Sequence, residues 1–156
     1  MKRMIAVIIA LLTLALSLVA CSGSNDAKAV DLDQIITDIN TEYGVDGLKA
    51  LEDTAKLKKY FRIAEEDVKS FAAEMTTAAS QYNEVIIVEA IDADAAARIA
   101  EKLNSHLDSQ TNNARSYDKD TLSMIEGCEV KTKGNYVYLV INEKAAEINS
   151  KIDSSL

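Results

Sequence analysis

Cys128-Glu129-Val130-Lys131-Thr132-Lys133-Gly134-Asn135-Tyr136-Val137-Tyr138-Leu139-Val140-Ile141 is the stretch that decides the fold class. Residues 128–132 alternate in polarity, which is the period of a strand with two different faces. Lys133-Gly134-Asn135 supplies turn chemistry, and Tyr136 to Ile141 returns as β-branched and aromatic residues. That is a hairpin. Alternation along the return places Val137, Leu139 and Ile141 on one face and Tyr136, Tyr138 and Val140 on the other.

A hairpin needs a further strand and a covered face to be stable. Glu84-Val85-Ile86-Ile87-Val88-Glu89-Ala90 is β-branched and apolar on both faces, which suits a central strand. Residues about 74–80 are a weaker strand candidate beside it. The remaining periodicity is helical. Leu32, Ile35, Ile36, Ile39 and Tyr43 share one face, Asp31 and Gln34 form a variant capping box, Val30 staples to Ile35, and Gly44 is a stop.

A second helix is expected over about 47–60 on Leu48, Leu51, Ala55 and Leu57. A third is expected from Glu65, where three acidic residues favour a helix N-terminus and Val68, Phe71, Ala72 and Met75 supply the stripe. Further helices are expected over about 92–113, 118–125 and 143–154. The sum is α+β: a small antiparallel sheet of three to four strands with several helices packed against it.

Outward from this domain, the other end of the chain is of a different character. Lys2 and Arg3 precede a nearly unbroken apolar run from Met4 to Ala20, followed by Cys21-Ser22-Gly23-Ser24. A charged segment, an apolar segment and a small residue at the cut are the parts of a secretory signal peptide. An uncleaved membrane anchor is the alternative, but the run is near the lower limit of the roughly 17–25 residues that span a bilayer. Leu18-Val19-Ala20-Cys21 resembles the lipobox of bacterial lipoproteins, which implies cleavage before Cys21 and attachment of a diacylglyceryl group to its thiol. Residues 1–20 are therefore expected to be a lipoprotein signal peptide, 21–29 the lipidated cysteine and a polar tether, and 30–156 a single domain. The partner so implied is a membrane, reached through Cys21 from the extracytoplasmic side.

The full chain has 156 residues and a net charge of −8. Loss of Lys2 and Arg3 with the leader leaves 15 basic against 25 acidic residues, a net of −10. Such a domain lacks the basic face that nucleic acid requires. With Cys21 committed to lipid, Cys128 is alone and forms no internal disulfide. Stability must come from the core, which a chain of this length can bury.

Several stretches together resemble a known family. They are Ile63-Ala64-Glu65-Glu66-Asp67-Val68, Glu84 to Ala90, Leu107-Asp108-Ser109-Gln110 followed by Tyr117, and above all Lys133-Gly134-Asn135-Tyr136-Val137-Tyr138-Leu139-Val140. The chain is similar over about 30–155 to small Gram-positive bacterial lipoproteins classed as a domain of unknown function. The resemblance implies a lipid-anchored extracytoplasmic domain. It brings no catalytic residues and no cofactor.

The residues themselves show no catalytic signature and no metal or cofactor motif. His106, the only histidine, could pair with Cys128 as base and nucleophile; the plainer reading is a polar helix residue beside a small buried cysteine. Asp92 and Asp94 begin like a calcium loop, but Ala96 and Ala97 stand where a ligand and a glycine are needed, so both are read as capping charges. Asp118 and Asp120 are read likewise. On the hairpin, Tyr136 and Tyr138 beside Lys131 would make a recognition patch for peptide or glycan if no helix covered their face. Helices on both faces would instead make the tyrosines core, and exposed aromatic patches are uncommon on monomers. The expected function is non-enzymatic binding or an accessory role in the envelope. The alternatives are a hydrolase whose site the sequence hides and a structural partner of a membrane complex.

Overall fold

Local capping chemistry sets the first helix. In the computed structural model, which describes residues 30–45, 47–77, 82–117 and 119–156, helix α1 spans Leu32–Tyr43. Asp31 Oδ1 accepts a hydrogen bond from the Gln34 amide at 3.0 Å, and Gly44 ends the helix at φ +66°. Only half of the expected capping box forms, because the Gln34 side chain donates forward to Asp38 instead. Residues 1–29, and with them the leader, Cys21 and the tether, lie outside the described residues.

The next two segments correct the expected helices. Lys49–Ala50 is a short strand, β1, and helix α2 starts only at Thr54, running to Phe61. Gly47 at φ +72° breaks the helical path, and Asp53 caps the Lys56 amide at 2.8 Å, so the helix begins there and not at 47. The helix expected from Glu65 is a single 3-10 turn, Glu65–Asp67, followed by strand β2, Val68–Met75. Spacing of Val68, Phe71, Ala72 and Met75 fits a helix, yet pairing with a neighbouring strand wins. A bulge between Val68 and Ser70 brings Val68 to the face of Phe71 and Met75, while Ala72 enters the other core, so the apolar residues divide between two faces. The weak strand expected at 74–80 thus lies earlier; residues 78–81 are outside the described set.

From there the pattern holds. Strand β3 is Glu84–Ala90, helix α3 is Ala93–Tyr117, and helix α4 is Lys119–Glu126. The hairpin is β4, Val130–Lys133, and β5, Tyr136–Ile141, with Gly134 at φ +59° in its turn. Helix α5, Ala145–Ser155, closes the chain. The sheet has five strands, not three or four, in the order β1-β2-β3-β5-β4, and every neighbouring pair is antiparallel. The class is α+β, as expected.

Helices cover both faces of the sheet. One face presents Ile86, Val88, Val137, Leu139 and Ile141 to α2, α3 and α4. The other presents Val85, Ile87, Tyr138 and Val140 to α1 and α5. Each fully buried Ile, Leu or Val contributes roughly 1.5–3 kcal/mol of transfer free energy. The central pair β3–β5 therefore anchors two separate cores, one on each side.

Candidate functional site

Glu84 opens β3, and burial of a carboxylate at the head of an apolar strand demands donors. Helix α3 supplies them. His106 and Gln110 are one turn apart, so they share a helix face. His106 Nε2 lies 2.7 Å from Glu84 Oε2, and Gln110 Nε2 donates to Glu84 Oε1 at 2.9 Å. The Glu84 side chain is 1% exposed and that of His106 12%. Phe61 of α2 holds the imidazole from the other side, with ring centroids 4.7 Å apart at 72°.

Glu84 and Gln110 of this cluster line a cleft of about 420 Å³ where β1, the end of β2, α2 and α3 meet, with His106 behind them. Leu51, Met75 and Tyr82 give it apolar walls, and Asn113 continues the polar line of α3. Lys49 and Lys56 stand at its rim with Tyr60, which is 45% exposed. Lys56 is paired with Glu52 on the solvent side. Both carboxylate oxygens of Glu84 are occupied from within, so the cleft offers an incoming group cations, aromatic surface and neutral polar groups. A second hollow of about 430 Å³ adjoins it across Tyr82, lined by Asn83, Asn142 and Lys144.

The structure separates most of the residues singled out from sequence. His106 bonds Glu84, whereas the Cys128 thiol donates to the Met124 carbonyl at 3.3 Å and is pushed to higher pKa by burial. The two are not joined as base and nucleophile. Asp92 caps α3 through the Ala95 amide at 2.8 Å, the role expected of it. Asp118 and the side chain of Asp120 lie outside the described residues.

On the hairpin, Tyr138 is 1% exposed, and its hydroxyl donates to Asp153 of α5. Burial, then that contact, pushes its pKa up. Tyr136 is half-buried, and Lys131, opposite Tyr138, is also half-buried beside Glu129 and Asp153. Helices α1 and α5 cover this face, so Tyr136 and Tyr138 do not form an open aromatic patch with Lys131.

The site that does form is one that reading the sequence misses. Its signals are a carboxylate placed in a wholly buried strand and a His and Gln four apart on one helix. Among the described residues no helix is long and apolar enough to cross a membrane.

Residues 37–142 match the family model described as Domain of unknown function (DUF4358), a range that covers all five strands, the cleft and the residues of the second hollow up to Asn142. No curated protein and no solved structure matches the chain.

Proposed function

The chain belongs to the DUF4358 family, and from that premise we propose that it is a lipid-anchored extracytoplasmic domain whose task is binding, not catalysis. Support for the anchor is in the leader: Lys2 and Arg3, the apolar run, and Leu18-Val19-Ala20 before Cys21, in the manner of Gram-positive lipoproteins. Two acyl chains on one thiol hold a protein to a bilayer where one would not.

The observation that carries the binding role is the cleft lined by Glu84 and Gln110. Its acidic floor is closed by its own donors, which leaves a volume of ligand size with two lysines at the mouth of a strongly acidic protein. Tyr60, Tyr82 and Met75 suit an apolar or aromatic body, and Lys49 and Lys56 suit its charged end. The ligand class is a small organic anion.

Anilinonaphthalenesulfonate, an aromatic anion of this class, serves as the probe. It is expected to bind the folded protein saturably at one site, about tenfold more weakly when Lys49→Glu and Lys56→Glu are combined. Unchanged affinity in that double variant would remove the cleft as the binding site. For the anchor, a metabolic fatty-acid label is expected on the native protein and absent from Cys21→Ser; label retained on the variant would overturn it.

A further inference from the structure

Glu74 of β2 is a second buried carboxylate, and its chemistry is incomplete. It points to the face covered by α1, where Asn40 Nδ2 donates to its Oε2 at 3.0 Å. Its other oxygen, Oε1, is buried with no hydrogen-bond partner, and so is Asn40 Oδ1. Both orphans are acceptors. An ionised carboxylate has only acceptors to offer, and the Asn40 carbonyl oxygen that faces it is an acceptor as well. Two unsatisfied buried acceptors on facing side chains are costly. A single proton on Oε1 answers both, since the acid O–H can donate to Oδ1 while the amide continues to donate to Oε2.

We propose that Glu74 is carried as a neutral carboxylic acid in the folded domain, forming a two-hydrogen-bond acid–amide latch with Asn40 that docks α1 on the sheet and loosens when the proton is lost. Burial independently pushes the Glu74 pKa up, against the smaller opposing effect of the Asn40 hydrogen bond. Among the described residues no charge faces the pair from the surrounding elements. On α1, Asp38 is engaged by Gln34, and Glu42 by Lys151 of α5. Lys49 of β1 pairs with Met75, and so lies on the opposite face from Glu74. On β3, Val85 stands across from Glu74, and Glu84 turns to the other side to meet His106. The α5 residue Glu147 meets α1 through its carbonyl, at the Tyr43 hydroxyl.

The sign follows from linkage. A carboxyl whose folded pKa is raised contributes stability below its unfolded pKa, and that contribution is lost as pH rises through the folded value. The direct measurement is the side-chain carboxyl carbon shift of Glu74 in the unaltered full chain, assigned through its own backbone and followed against pH. The expected midpoint lies above the ordinary carboxylate range; a midpoint within or below that range overturns the proposal. Glu74→Gln supplies the second arm, because a glutamine amide can make both hydrogen bonds at every pH. Its urea midpoint is expected to exceed that of the native chain by a margin that widens from pH 4.5 to 8. Parallel pH curves for the two proteins would equally overturn the latch, and the carbon-shift titration stands by itself if the variant does not fold.

Discussion

Two buried glutamates sit almost side by side at one end of the β2–β3 ladder, and they face opposite cores. Glu84 pairs across the ladder with Met75, and Glu74 with Val85. They are 1% and 6% exposed. Glu84 meets two partners on α3, one for each oxygen: Gln110 donates to Oε1, and His106 Nε2 lies against Oε2. Glu74 meets one donor on α1 and leaves an oxygen empty. Burial is nearly equal, so the difference lies in the donors that the covering helix brings. On the α3 side the carboxylate is finished and becomes the floor of a cleft. On the α1 side it remains a place where a proton can act.

Truncation of the two residues separates these roles most strongly. Glu84→Ala leaves the half-buried His106 imidazole and Gln110 amide without their shared partner beside a cavity, and the cavity together with the lost hydrogen bonds is expected to cost about 3 kcal/mol or more. Glu74→Ala removes the neutral acid–amide pair with Asn40 and strands no buried charge, so a loss of about 2 kcal/mol is expected beyond the cavity it leaves. Urea denaturation of both variants at one pH checks the order. Equal losses would break the distinction between the two glutamates.

The same contrast explains which features are legible in the sequence. Elements specified by neighbours along the chain are plain: the Asp31 cap and Gly44 stop around α1, the apolar run of β3, and the Gly134 turn between β4 and β5. So is the two-faced alternation of β5, since Val137 and Tyr138 do enter different cores. Strand β2 is illegible because Val68, Phe71, Ala72 and Met75 stand at helical spacing although they divide between the two cores, and only the partner β3 decides between helix and strand. The cleft is illegible for a related reason. Glu84 is separated from His106 by 22 positions and from Gln110 by 26, so their meeting depends on how α3 lies on the sheet. Glu74 and Asn40 are 34 apart. Local chemistry selects elements; buried polar partners appear only once the elements are packed.

The hairpin tests whether the α1–α5 side is otherwise well satisfied. Tyr138 spans the core beneath these helices and delivers its hydroxyl to Asp153 near the surface. Tyr138→Phe keeps the packing and loses that hydrogen bond. The acceptor, with its side chain 44% exposed, can turn to water. A loss of about 1 kcal/mol is expected by thermal or urea denaturation. A loss as large as that of Glu84→Ala would show that Asp153 is as dependent on its donor as the Glu84 cluster is, and would erase the asymmetry between the faces.

The smallest expected effect is a gain, and it lies on the cleft side. Helix α2 ends at Arg62, which adopts φ +59° and donates its amide to the Lys58 carbonyl. It is the one non-glycine residue with positive φ among those described. A side chain in this conformation costs about 1–2 kcal/mol, which glycine avoids. Glycine in turn loses more backbone entropy on folding, by roughly 0.5–1 kcal/mol. Arg62 is exposed, so the substitution forfeits little packing. Arg62→Gly is therefore expected to raise stability by about 0.5 kcal/mol, seen as a small rise in urea midpoint with an unchanged slope. Helix α2 packs on the face of the sheet opposite Glu74, so the variant does not touch the Glu74–Asn40 pair. Its gain should add to that of Glu74→Gln when the two are combined, and failure to add would mean that the two faces of the sheet are coupled.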